Sequence, residues 1–211
     1  MAVCLRPAEL RDAAFLAEVI LIASRSHLGR GGWDLGLPEP DGERLRILSG
    51  LARAATRTFC HHSLYLIAED DGVPAAALCG FGAETLDSLD PNPTIQAVAG
   101  WTSVELDAAN RRLAPFMTCI AEPPSGAWIV EFVATLPPFR RRGLGTALLE
   151  KILARGRDAG HRLAQIEVLI GNTPAQRAYE KVGFRVVGER THPEFEAALH
   201  CPGIRRLWRD L

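Results

Sequence analysis

The sequence predicts an α/β fold built on a mixed sheet, and three stretches carry that prediction. Ile129 to Thr135 is a continuous apolar run, rich in β-branched residues and interrupted only by Glu131, the pattern of a strand covered on both faces. Pro137 and Pro138 end it, and beyond the basic turn R-R-R-G-L-G the residues Leu144, Ala147, Leu148, Ile152 and Leu153 recur at helical spacing. A second apolar run, Ala164 to Ile170, again leads into a helical stretch, Thr173 to Val182, so strand and helix alternate. Leu64 to Glu69 and Val73 to Phe81 flank E-D-D-G, a hairpin turn, and add antiparallel pairing to the sheet.

The remaining elements follow in chain order. Val3 to Arg6 is a short first strand, and Pro7 to Asp12 turns into a helix over Ala13 to Ser26, where Phe15, Leu16, Val19, Ile20 and Ala23 share one face. Leu28 to Leu37 is glycine-rich and reads as a loop. Within it Trp33 and Asp34 offer an apolar face and a carboxylate to an amine, so the loop is either a flexible connection or a wall of an acceptor pocket. Glu39 to Arg57 is a second helix, with Leu45, Leu48, Leu51 and Ala55 on one side. His61 and His62 have the intrinsic pKa range of a general base, and they equally suit exposed structural positions.

Residues 83–127 are too long for a structureless connection, and two helical periodicities, one through Ile95, Val98 and Trp101 and one through Leu113, Phe116 and Met117, predict a helical excursion. Its role is to cover the sheet, to make a dimer contact or to close over an acceptor. Asn172 or Thr173 caps the helix that starts at Thr173, with Pro174 early in it and Gly183 at its end. Phe184 to Arg190 is a strand, Pro193 to His200 an irregular or helical segment, and Ile204 to Leu211 a final strand.

With 211 residues, one domain over 1–211 is expected. A net charge of -1 lacks the concentrated basic face that a general nucleic-acid binder needs. The five cysteines are scattered and never in C-x-x-C spacing, which is neither a disulfide framework nor a zinc site. No metal is expected. No apolar run approaches the ~18 residues of a membrane span, and no signal-peptide pattern opens the chain. A soluble, cytoplasmic protein without membrane or nucleic-acid partners is the expectation, with a homodimer a natural assembly.

Strand, glycine turn and helix together aim unpaired N–H groups into one small space. Such a helix start attracts anions, and Gly143 and Gly145 let a phosphate approach the backbone while Arg140, Arg141 and Arg142 add positive charge. The same turn also serves as a plain tight connection with solvated arginines. It is not a nucleotide-triphosphate loop, because G-K-S/T is missing, and the dinucleotide fingerprint lacks its third glycine.

Taken with Asn172 to Phe184, N-T-P-A-Q-R-A-Y-E-K-V-G-F, the turn R-R-R-G-L-G resembles the GCN5-related N-acetyltransferase (GNAT) superfamily. The family's second signature falls on Asn172, Ala175, Tyr179, Gly183 and Phe184, after the first and with a strand between them. The resemblance implies a mostly antiparallel sheet with flanking helices, a V-shaped cleft beside the central strand, and an acetyl-CoA-binding core over residues 128–190; the helical insertion over 83–127, between the third and fourth strands, departs from the short connection usual in the family. Arg141 stands where the family often has glycine, and Thr135 where it has an aliphatic residue.

It further implies that acetyl-CoA is the co-substrate and that a small amine or a peptide amine accepts the acetyl group in a ternary complex. Backbone groups of Val133, Ala134 and Thr135 would hold the pantetheine arm and the acetyl carbonyl. Residues Arg140, Arg141, Arg142, Gly143, Leu144, Gly145 and Thr146, with Asn172 and Ala175, complete the cofactor side. Tyr179 matches the tyrosine whose hydroxyl reaches the CoA sulfur, the position of a general acid. Glu131, a carboxylate in an apolar strand, is the candidate base, on the same face as Val133 and Thr135 by strand alternation. A salt-bridged structural carboxylate is the other reading of Glu131, which leaves a histidine or water as base. A non-catalytic CoA-binding regulatory module remains the alternative to an enzyme.

Overall fold

In the computed structural model, which describes residues 3–211, strand β1 (Val3–Pro7) leads into helix α1 (Ala13–Arg25). The region read as a loop contains a five-residue helix, α2 (Gly32–Gly36), because tertiary hydrogen bonds close a segment with no apolar period. The Asp34 carboxylate accepts the Gly31 N–H at 2.8 Å at its start, and Arg112 donates to the carbonyls of Leu35 and Gly36 at its end, both at 3.2 Å. Helix α3 (Asp41–Arg53) is shorter at both ends than the expected 39–57. Asp41 and Glu43 in its first turn complement the helix dipole.

The hairpin forms as expected, with β2 (Tyr65–Asp70) and β3 (Val73–Gly82). Residues 83–127 then hold a 3-10 turn, α4 (Asn92–Ala99) and α5 (Ser103–Met117), the last capped reciprocally by Thr102 and Glu105. Next come β4 (Trp128–Thr135), α6 (Leu144–Asp158), β5 (Leu163–Leu169), α7 (Thr173–Lys181) and β6 (Arg185–Thr191). The segment after β6 is helical, α8 (Pro193–Leu199), and β7 (Gly203–Asp210) closes the chain.

Seven strands form one sheet in the order β1-β2-β3-β4-β5-β7-β6. Every pairing is antiparallel except β4 with β5. One face packs Tyr65, Ile67, Cys79, Phe81 and Ile129 against α1 and α3. The other packs Leu66, Leu78, Val130 and Ile166 against α6 and α7. A third cluster joins Leu35 of α2, Phe116 of α5 and Phe195 of α8 over β5 and β7, so the helical excursion covers part of the first face. No helix of the described residues is long and apolar enough to cross a membrane.

Two glycines set the depth of α6. The Trp128 indole lies between Gly80 of β3 and Gly156 of α6, where an added Cβ would come within 2.8 Å and 2.6 Å of ring atoms. Alanine is the better helix former by about 1 kcal/mol, yet overpacking costs about 1–3 kcal/mol. Gly156→Ala is therefore expected to lose stability despite the propensity gain, measured as a lower denaturant midpoint with an unchanged slope.

Candidate active site

Strands β4 and β5 pair only from Trp128↔Ala164 to Val130↔Ile166, although β4 runs on to Thr135 and β5 to Leu169. Beyond that point the facing edges have no ladder partners, and the sheet opens toward the C-terminal ends of the two strands. This opening is the V-shaped cleft.

On its other side β4 stays paired with β3, but with one residue too many. Glu131 pairs with Cys79 and Ala134 with Ala77, three steps against two, and Phe132 takes a positive φ of 52°. Such a bulge shifts the phase of the strand by one residue. Glu131 and Phe132 thus both face the α1 and α3 side, whereas Val133 packs with the α6 cluster and the Thr135 hydroxyl lies toward Gly145. The expected common face for Glu131, Val133 and Thr135 is corrected accordingly.

Glu131 sits in a lateral row. Its cross-strand neighbour is Cys79, whose neighbour on β2 is Tyr65, both fully buried. Across the cleft, on the same face, stands Glu167 of β5, ion-paired at 3.1 Å with Arg206 of β7. Arg206 also donates to the carbonyls of Ala121 and Glu122, which fixes it from the exit of the helical excursion. Burial, and secondarily the charge of Glu167, push Glu131 up to about 7. Burial raises Glu167 too, against the pull of Arg206. Glu131 has no ion pair among the described residues. Glu167 escaped the sequence reading, and its one signal was a charge in an otherwise buried strand, L-A-Q-I-E-V-L.

The opposite face carries the other half of the site. In the turn before α6, Arg141 and Gly143 both have positive φ, 63° and 81°, and the first helical bond is Ala147 N–H to the Gly143 carbonyl at 3.0 Å. The N–H groups of residues 141–146 therefore donate to no backbone carbonyl among the described residues, and free N–H groups at a helix start suit an anion. A Cβ added at Gly145 meets nothing nearer than 3.8 Å, so space lies open there. The arginines divide their work. Arg142 is ion-paired with the buried Asp70 and lies over the Phe139 ring, and Arg140 donates to the Thr135 carbonyl at 3.2 Å, so both brace the turn. Arg141 is exposed and has no ion pair among the described residues.

Helix α7 brings Tyr179 to the same side. Its ring is 6% exposed, packed in the cluster with Leu144, Leu148 and Val168 and edge-on to Phe184, and burial raises its phenol above the ordinary range. The Asn172 side chain caps the helix by accepting the Ala175 N–H at 3.2 Å, and its amide donates to Ser26 Oγ at 2.6 Å, tying α7 to the end of α1. Glu131 thus lies on one face of the sheet and Tyr179 on the other.

The Acetyltransferase (GNAT) family matches residues 38–184. The chain belongs to that family. A structure described as "The crystal structure of acetyltransferase" is similar over 98% of each chain, with 17% identity and a TM-score of 0.71. An N-acetyltransferase from Staphylococcus aureus Mu50 is 16% identical over 97% of this chain and 99% of its own, with a TM-score of 0.70. A Drosophila melanogaster polyamine N-acetyltransferase is 13% identical over 100% of both chains, with a TM-score of 0.56. At these identities the likeness is one of fold. No curated protein sequence matches the chain.

Within this GNAT frame the remaining expected site residues separate. Trp33 is partly exposed and lies 6.0 Å from the Phe59 ring, which stacks at 6.0 Å on Phe132. Asp34 is instead held by Arg25 at 2.6 Å, by the Gly31 N–H and by the nearby Arg44. Burial works to raise its carboxyl, but Arg25 and Gly31 hold it below the ordinary value. Two adjoining surface grooves of about 490 and 410 Å3 run along this cluster, and neither is lined by Glu131, Glu167 or Tyr179. His61 is hydrogen-bonded to Ser63 and His62 to the Ala52 carbonyl, both at 2.9 Å.

Proposed function

We propose that this chain transfers an acetyl group from acetyl-CoA to a primary amine, with both substrates bound at once. The observation that carries the reading is the opening between β4 and β5, with Glu131 on one face of the sheet and Tyr179 on the other. Acetyl-CoA supplies an activated acyl thioester. The N–H row of residues 141–146 and the Arg141 guanidinium would hold its phosphates, and the unpaired edge of β4 at Val133, Ala134 and Thr135 would hold its extended arm.

Glu131 takes the proton from the amine. A carboxyl at about 7 is half ionised at neutral pH, which suits a base that must both accept a proton and release it. Freed of its ammonium proton, the nitrogen forms its bond to the carbonyl carbon and passes its second proton to solvent as the carbon–sulfur bond breaks. Tyr179, a phenol protonated at neutral pH and raised further by burial, donates to the departing sulfur and is re-protonated from solvent. Holding the amine against the thioester supplies much of the rate, since orientation alone is worth ~7–11 kcal/mol in favourable cases.

The test is acetyl-CoA-dependent thiol release with a panel of amines, beside a calorimetric titration with acetyl-CoA. Release that saturates in both substrates supports the reading. Binding of acetyl-CoA without release for any amine or peptide leaves a CoA-binding module, and absence of binding removes the donor site as well.

A further inference from the structure

We infer that the acceptor is a monoamine carried by a short chain on an aromatic or similarly flat apolar group, its nitrogen at Glu131 and its ring against Phe132 and Phe59. This deepens the proposed acetyl transfer and rests on it.

The bulge in β4 is the first support. It sets a carboxylate and an aromatic ring side by side on one face, where regular alternation would have sent them to opposite faces. A bulky residue at positive φ is conformationally costly, and β3 holds it there by pairing on both sides of Phe132. The ring is not isolated. Phe59 stacks on Phe132 with planes 17° apart, and Trp33 continues the series at 6.0 Å from Phe59. All three are partly buried residues packed on the core of the α1 and α3 side, so a run of aromatic side chains starts beside Glu131 and keeps some access to solvent. What remains accessible of such rings is costly in water and favourable against another flat apolar group.

Charge decides how many cationic groups this surface accepts. Of the two carboxylates at the cleft, Glu167 is already neutralised by Arg206, which three oxygen partners hold in place. Glu131 is left as the one carboxylate at the cleft without a cation among the described residues. At the far end of the aromatic run, Asp34 beside Trp33 is likewise satisfied by Arg25 and lies close to Arg44. A second ammonium, as in a polyamine, would therefore meet apolar rings or neutralised ion pairs rather than a free carboxylate. One positive charge and one flat apolar body match what is present.

The full-length chain is assayed for thiol release at saturating acetyl-CoA with 2-phenylethylamine, tryptamine, hexylamine, spermidine and a lysine-bearing peptide. The expected result is a kcat/KM for the two aryl amines at least about 10-fold above hexylamine and spermidine, since a ring in a matched apolar site is worth that much discrimination. Phe59→Leu is expected to bring the ratio of 2-phenylethylamine to hexylamine toward one, and Trp33→Leu to reduce it for tryptamine. The native-chain comparison stands whether or not either variant folds. Hexylamine, spermidine or the peptide turned over as well as the aryl amines overturns the inference and leaves acetyl transfer standing. No release with any amine overturns both.

Discussion

Tyr179→Phe is expected to lower kcat by about 100-fold or more, the usual contribution of a positioned proton donor, while the affinity for acetyl-CoA stays within a few-fold. The ring of Tyr179 is buried in the apolar cluster under α6 and α7, and phenylalanine keeps that packing. What disappears is one hydroxyl, protonated at neutral pH and raised further by burial. Pre-steady-state kinetics separates the roles. With amines of falling basicity the defect should stay constant, because the lost proton goes to sulfur and not to nitrogen. A variant with native kcat and a raised KM for acetyl-CoA instead assigns the tyrosine to binding alone.

The second large effect concerns Glu131→Gln, expected to lower kcat/KM at pH 8 by about 100-fold and to remove the rise in rate near pH 7. Native Glu131 titrates at about 7 against an ordinary 4.5, so its basic form accumulates as pH rises through neutrality. The same shift has a stability consequence of fixed sign. The folded state binds this proton more tightly than the unfolded chain, so the contribution is complete below 4.5 and is lost as pH rises through about 7. Glutamine carries no such penalty. The variant should therefore be more stable than the native chain at pH 8, by about 1–3 kcal/mol, and equal to it near pH 4. Denaturant titrations at the two pH values check this. An unchanged pH–rate profile moves the base to water or to a histidine.

The parts of this site that were legible in the sequence are those encoded locally. Ile129 to Gly145 states a strand, a turn and a helix start within one window, and Asn172 with Pro174 states the cap of α7. What was not legible depends on partners far along the chain. Arg142 looked like one of three equivalent cations until Asp70, 72 residues away, was found beside it. The five residues of α2 have no apolar period, and Arg112, 76 and 77 residues on, supplies the bonds that end them. Glu167 gained its meaning only from Arg206 and from the strand across the cleft. The bulge at Phe132 is hidden for another reason. No glycine marks its positive φ, and the apolar run around it fits a regular strand equally well.

That bulge also fixes how such a site diversifies. Side-chain replacement along β4 alters the chemistry at one position but leaves every other residue on its own side of the sheet. Loss or gain of a single residue between Glu131 and Ala134 changes the parity of the strand, and the groups beyond it exchange sides together. Descendants of this chain that keep the motif around Gly143 yet differ by one residue in that interval would present a different set of groups to the acceptor at unchanged donor geometry. Length in a four-residue window, more than composition, is the variable to compare when acceptors differ among its kin.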